Sequence, residues 1–262
     1  MKQLIINADD FGFTRDVNAG IIQAHREGVL TSTTLMANGQ AFDDAVQLAH
    51  ETPTLDVGCH LVLVQGRSLG TGEKLPEGPR QLLAALARNR LDVPAELRRQ
   101  IERILAAGIK PTHLDTHKHT HLVPGVFRIV VRLAREFGIP YVRLPLDSTV
   151  RIAGYSLAVV ERFYRRVAIQ NRVCLTDHFL GFRLTGHLTE ETFALAIASL
   201  PDGLTEFMCH PGLLGPELAR AETRLKESRV RELEALTSPR IRRLVAESKV
   251  RLSPFCTRDS KG

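Results

Sequence analysis

Short apolar runs rich in β-branched residues alternate with longer segments of helical period from one end of this chain to the other, and that alternation admits few folds. A strand followed by an amphipathic helix, many times over, packs as parallel strands joined by crossover helices. The runs predict strands at 3–8, 32–37, 56–63, 112–117, 141–144, 177–181, 204–209 and 249–253. Between the first two, Thr14 is placed to cap a helix whose apolar side carries Val17, Ile21, Ile22 and Ala24, and Gly28 to end it. Further helices are expected at about 40–50, 95–107, 125–137, 154–170, 189–199, 226–236 and 238–247. Such a run of βα units in 262 residues suits one α/β domain, a distorted TIM-like barrel over residues 1–255 with a C-terminal tail at 256–262. An open doubly wound sheet is the alternative. The segment 65–80, QGRSLGTGEKLPEGPR, is rich in glycine and proline and reads as a loop forming a substrate lid or wall.

Composition narrows the class of protein. With 44% hydrophobic and 24% charged residues the chain has material for a sizeable core and none of the polar bias of disorder. It lacks an apolar run of roughly 18 residues for a membrane span. The opening MKQLIINADDFG reaches acidic residues too early for a signal peptide, so a soluble, cytoplasmic protein is expected. Cys59, Cys174, Cys209 and Cys256 are far apart and form no CxxC, which argues against a disulfide framework or a cysteine-rich zinc site. A formal charge of +6 comes largely from one stretch holding Arg162, Arg165, Arg166 and Arg172, either a solvated helix face or a peripheral contact with an anionic membrane. A nucleic-acid partner is not expected, since there is no Trp, only three Tyr, and no basic run interleaved with aromatics.

Ligand sites of parallel α/β folds lie beyond the carboxyl ends of the strands, and four such ends carry chemistry here. In NADDFG, the strand runs straight into Asp9 and Asp10. Two carboxylates so close repel unless a cation or a shared proton lies between them, although an Asx-turn and helix cap would also account for them. Both reach one site only if the strand bends, and Gly12 is the residue that would permit it. The run VGCHLVL sets His60 in a buried strand, where a lone histidine is more often a hydrogen-bonded core residue than a ligand. In THLDTHKHTHL, an extended backbone would point His113, Asp115 and His117 to one side, with His119 and His121 beyond them; a solvated histidine-rich loop is the bland reading. TEFMCHPG delivers His210 at a strand end, with an unperturbed pKa suited to acid or base work. Together Asp, His, His and His from separate strand ends point to a hydrolytic metal site, and two histidines with a carboxylate are a frequent catalytic zinc set. Paired carboxylates, histidines and a basic charge also suit a metal-dependent phosphoesterase.

These motifs, in this order, resemble the YdjC-like carbohydrate deacetylases. The resemblance spans nearly the whole chain and rests on NADDFG, GIIQAHREGVLTSTTLMANG, VGCHLVL, HLDTHKHTH, VRLP and EFMCHPG. It implies a distorted TIM-like barrel, one divalent ion held by Asp10, His60 and His117, Asp9 as base and His210 as acid. Zinc is favoured, with magnesium or another divalent ion as the alternative. The resemblance also places Arg143, of VRLP, to hold or tune Asp9, and puts Arg143, His119 and His121 at the substrate. The implied substrate is an N-acetylated glycan or glycolipid. The segment TDHFLGFRLTGHLTEETF resembles the hopanoid-associated branch of the family, which implies an N-acetylglucosaminyl hopanoid lipid met at the inner membrane; a chitooligosaccharide such as chitobiose is the alternative. Oligomeric state is left open, a homodimer included.

Overall fold

Leu4, Ile5 and Ile6 are wholly buried, as their apolar run requires, and they lie in the longest strand of a computed structural model that describes residues 1–146, 151–152, 155–156 and 158–255. The strands are β1 (Lys2–Phe11), β2 (Ser32–Leu35), β3 (Asp56–Leu61), β4 (His113–Thr116), β5 (Tyr141–Val142), β6 (Arg151–Ile152), β7 (Tyr155–Ser156), β8 (His178–Leu180), β9 (Gly203–Cys209) and β10 (Val250–Leu252). The helices are α1 (Arg15–Glu27), α2 (Phe42–His50), α3 (Pro79–Ala87), α4 (Val93–Ala106), α5 (Pro124–Phe137), α6 (Ala158–Gln170), α7 (Glu190–Ala198), α8 (Pro216–Arg220), α9 (Glu227–Thr237) and α10 (Pro239–Glu247). The tail expected at 256–262 lies outside the described residues.

One parallel sheet runs β5-β4-β3-β2-β1-β9-β8, and β10 joins it by pairing with the start of β1. Its two outer strands curl toward each other. The segment ahead of β8 reaches β5, where Val142 N–H donates to Cys174 O and Cys174 N–H to Pro140 O. The sheet is therefore a distorted TIM-like barrel, and the open doubly wound alternative is set aside. All eight expected strands are present, several shorter by a residue or two. The hairpin β6-β7 occupies part of the stretch read as the start of a helix at 154, and α6 begins at Ala158. Helix α3 has no counterpart among the expected helices, and only its first two residues fall within the loop expected at 65–80.

Alternation along β1 separates two interiors. Leu4, Ile6 and Ala8 face the helices and join the main apolar core with Val17, Ile21, Ile101 and Leu236. Ile5 faces the barrel interior and meets Tyr141 and Phe255, which close its lower end. Above that apolar plug the interior turns polar. Local signals set the helix starts: Thr14 caps α1 by accepting from Val17 N–H at 3.2 Å, and Asp92 caps α4 from Ala95 N–H at 3.0 Å. No helix among the described residues is long and apolar enough to cross a membrane. Arg162 and Arg166 are exposed on α6 beside Phe163 and Ile169, while Arg165 pairs with Glu161 at 2.7 Å.

Candidate metal centre

The end of β1 solves the problem of two adjacent carboxylates facing one way. Register between β1 and β2 shifts between Ala8 and Phe11, so β1 carries an extra residue there. Asp10 absorbs the shift with a φ of 71°, a left-handed conformation uncommon for a residue with a Cβ. The bend thus begins at Asp10 itself, and Gly12, at φ 92°, completes it rather than causing it. Asp9 keeps the direction of Asn7, which donates to its Oδ1 at 3.1 Å, and Asp10 is turned to the same rim.

Three side-chain atoms that could ligate an ion meet at that rim, from the ends of β1 and β3 and from the turn after β4. Asp10 Oδ1 lies 3.1 Å from His117 Nδ1 and 3.4 Å from His60 Nε2, and the two nitrogens are 3.3 Å apart. Ligands about 2.0–2.2 Å from a tetrahedral ion stand about 3.3–3.5 Å from one another, so the triangle fits a single cation. Hydrogen bonds on the far side of each ring choose the tautomer. His60 Nδ1–H donates to Asp115 Oδ1 at 2.7 Å, which turns Nε2 toward Asp10 and His117 and leaves it the atom to bind an ion. His117 Nε2–H likewise donates to Gln65 Oε1 at 3.1 Å, leaving Nδ1 as the acceptor. Three such atoms turned on one point suit a positive charge there, a proton on His60 or a bound cation. Burial pulls the pKa of His60 down, but Asp115, Asp10 and Asp9 lift it to about 10, which marks the same demand. In a second grouping, Asp9, His60 and Asp115, both carboxylates already bond the Arg143 guanidinium.

Each aspartate has its own arginine. Arg143, wholly buried just past β5, grips Asp9 with two bonds of 2.7 Å, and also reaches Asp115 Oδ2 at 2.6 Å and Glu206 Oε1 at 2.7 Å. Against the cost of burial, that guanidinium holds Asp9 well below the usual carboxylate range. Burial pushes Glu206 up to about 7 despite Arg143, with the charges of Asp115 and Asp9 adding to the push. Arg229, buried on α9, pairs with Asp10 Oδ2 and offsets burial to keep Asp10 ionised. Nothing in the periodicity of α9 separates Arg229 from a surface arginine. Glu232, one turn further along, accepts the backbone N–H of His210 and of Gly186, and burial pushes it up to about 7.

His210 follows β9 and brings Nε2 to 4.0 Å from Asp9 Oδ2. Burial lowers its pKa to about 4 although Asp9 and Asp10 pull the other way. The extended arrangement expected for 113–117 holds only as far as Thr116. His117 opens a 3-10 turn in which Lys118 and His119 both have φ 52°. His113 points into the barrel, bound to Asn7 Oδ1 at 3.0 Å and stacked on Phe255 at 3.8 Å, and so belongs to the packing. His121 is wholly buried, with Nδ1 on Thr116 Oγ1 at 2.5 Å and Nε2 donating to Arg143 O at 2.9 Å; both nitrogens are taken by the protein. His119 is only half-buried, packs against Phe179 and Phe182, and leaves Nδ1 without a protein partner. His117, with 16% of its side chain exposed, is the most open of the three converging residues and marks the entrance.

The loop 65–78 forms one wall of that entrance. It is pinned to α4 by Glu96, whose carboxylate accepts from Ser68 Oγ at 2.6 Å, Leu69 N–H at 3.0 Å and Gly70 N–H at 3.2 Å. A wall describes it better than a lid.

Known proteins of similar sequence and shape place this geometry in context. A protein of Brevibacillus brevis named carbohydrate deacetylase is 36% identical over 97% of this chain and 98% of its own length. A chitooligosaccharide deacetylase of Serratia marcescens is 33% identical over 97% of this chain and 98% of its own. A solved structure from Enterococcus faecalis V583, described as a candidate cellobiose-phosphate cleavage protein, superposes with a TM-score of 0.79 at 26% identity, covering 97% of each chain. The profile of the family described as YdjC-like protein matches residues 3–247, and the chain belongs to that family.

Proposed function

We propose that the protein is a metal-dependent hydrolase that removes the acetyl group from an N-acetylglucosamine unit of an oligosaccharide. The observation that carries this reading is the convergence of Asp10 Oδ1, His60 Nε2 and His117 Nδ1 within 3.1–3.4 Å of one another, beside Asp9 and His210. Relatives named carbohydrate deacetylase and chitooligosaccharide deacetylase support the substrate class.

A secondary amide has a poorly electrophilic carbonyl and a nitrogen that leaves badly unless protonated. A divalent cation held by Asp10, His60 and His117 supplies Lewis acidity to the acetyl carbonyl and the attacking water. Asp9 stays ionised across neutral pH under the grip of Arg143, so its Oδ2 is ready to take a proton from that water. His210, lowered to about 4, rests unprotonated at neutral pH. The proton it delivers to the sugar nitrogen is therefore acquired during the reaction, from the Asp9 oxygen that faces it. A C–O bond forms, the C–N bond breaks, and acetate and a free amine leave. The barrel rim below, filled by Arg143, Asp115 and Glu206, keeps bulk water from reaching Asp9 from behind.

A glycolipid acceptor such as an N-acetylglucosaminyl hopanoid is the second reading. It is favoured by the resemblance at 176–193 and by exposed Val159 and Ile169 on the arginine-bearing α6. Acetate release from chitobiose, the hopanoid glycolipid and an acetylated peptide by metal-loaded protein tests both. Turnover of either sugar substrate and none of the peptide is expected, and release from the peptide alone would sink the reading. Asp9→Asn should lower kcat by about 10²–10⁴-fold with metal still bound, whereas His60→Ala and His117→Ala should lose metal in calorimetric titration. An Asp9→Asn enzyme with near-parental turnover would remove Asp9 as the base.

A further inference from the structure

We infer that Glu232 is a positioning residue, which keeps the His210 imidazole beside Asp9 by gripping the backbone of His210 from behind. The inference rests on the reading above, in which His210 delivers the proton, and adds what keeps it aimed. Neither nitrogen of that ring is hydrogen-bonded among the described residues. Nδ1 is enclosed without a partner, and Nε2 stands 4.0 Å from Asp9 Oδ2, beyond a hydrogen bond. The imidazoles of His60, His113 and His121 are each tied by a ring nitrogen, to Asp115, to Asn7 and to Thr116 with Arg143 O. His210 lacks such a tether, so the place of its ring depends on where its backbone is held.

Three backbone N–H groups hold the turn at 210–213 among the described residues. His210 N–H donates to Glu232 Oε2 at 2.5 Å, Gly212 N–H to Arg229 O at 3.2 Å and Leu213 N–H to Asp16 O at 3.0 Å. The first is the shortest, is accepted by a side chain, and lies on the residue that carries the ring. Glu232 is 1% exposed, and its other oxygen accepts Gly186 N–H at 3.2 Å. Two donors facing the two oxygens of one carboxyl group suit its ionised form. Gly186 follows the 3-10 turn Phe182–Leu184 and lies flush on α9, since a Cβ there would stand 3.1 Å from Leu225 Cδ2. One carboxyl group thereby fastens the turn that bears His210 to the segment after β8 at a fixed spacing. Arg229, one turn earlier on the same helix, pairs with Asp10. Helix α9 thus registers the proton donor against the candidate metal ligand, and Glu232 is the part that serves the donor. A buried carboxyl group is costly to keep, and an apolar side chain would fill the space at less cost if packing were all the position required.

The test uses the metal-loaded full chain with Glu232→Gln, which keeps the shape but sets an NH2 group against one of the two N–H donors, and Glu232→Asp, which keeps the charge but is one methylene short. In either variant kcat on chitobiose should fall about 10–100-fold, with KM and calorimetric metal affinity unchanged, because the groups that bind metal and substrate are untouched. A purely structural role would lower the unfolding midpoint and leave kcat of the folded enzyme where it was. NMR of the His210 side chain reads the aim without turnover: one sharp set of imidazole signals in wild type, broadened or shifted in Glu232→Gln. In wild type alone, the His210 amide proton should lie far downfield and exchange slowly, a result that needs no variant to fold. These spectra decide the inference even if no acetate is ever released, which separates its fate from that of the deacetylase reading. An imidazole averaging between orientations in wild type, unchanged imidazole signals or kcat in a folded variant, or metal affinity falling in step with kcat would overturn it.

Discussion

Asp9 and Asp10 are neighbours in sequence, yet Arg143 neutralises one and Arg229 the other, from elements far apart in the chain. That division lets both stay ionised side by side, which two unpaired carboxylates in a dry cleft could not do. At the same scale Gln65 acts only through its neighbour. Its Oε1 holds the proton of His117 Nε2 and so aims Nδ1 at the converging point. Gln65→Gly suits the φ of 64° and removes the amide. It should weaken metal affinity about 10–100-fold in titration calorimetry, while kcat at saturating metal changes little. Unaltered affinity would mean that packing alone orients His117. Asp9, Asp10, His60 and His210 stand out in the sequence only as a set, since each alone has an ordinary structural reading and the four together come from separate strand ends. Arg229 and Glu232 do not, since in ESRVRELEALT they share the pattern of any solvated helix.

Among the elements, the wall at 65–78 shows how a segment without regular structure becomes rigid. Glu96 collects one hydroxyl and two backbone N–H groups from it, and Gln100 of the same helix bonds both Val62 N–H and Val62 O at its base. Glu96→Ala strips three bonds from the loop, and limited proteolysis should then cleave within 65–78 at least about ten times faster than in wild type. Equal cleavage rates would place the rigidity elsewhere. Strand positions were legible because the barrel buries both faces of each strand, so that they read as nearly continuous apolar runs. The short helix α3 was hidden by the prolines and glycines just before it, although Pro79 at its first turn is a start signal. The turn after Thr116 was hidden too, because Lys118 and His119 take left-handed angles that their side chains do not announce.

Over the whole molecule, the interior of the barrel is layered, with an apolar plug below and charge above. Phe255 is the centre of that plug, 1% exposed and packed on His113, Tyr141 and Ile5. Phe255→Ala should cost about 3–5 kcal/mol in urea unfolding, since the barrel walls cannot collapse into the space. A loss under about 1 kcal/mol would show that the lower end is loosely packed. Closure of the barrel was legible only as a class of fold, because which strands flank which is decided by pairings across the full chain. The most demanding of these is β1, which pairs Lys2 with both Gly203 and Val250. Strand β1 is therefore held on one side by strands from the far end of the described residues. A partly folded form in which β9 and α9 have not docked leaves Asp9 without His210 but still beside Arg143, and leaves Asp10 without the counter-charge of Arg229. Docking of the late elements and charge balance at the strand-end acids are in this way a single event.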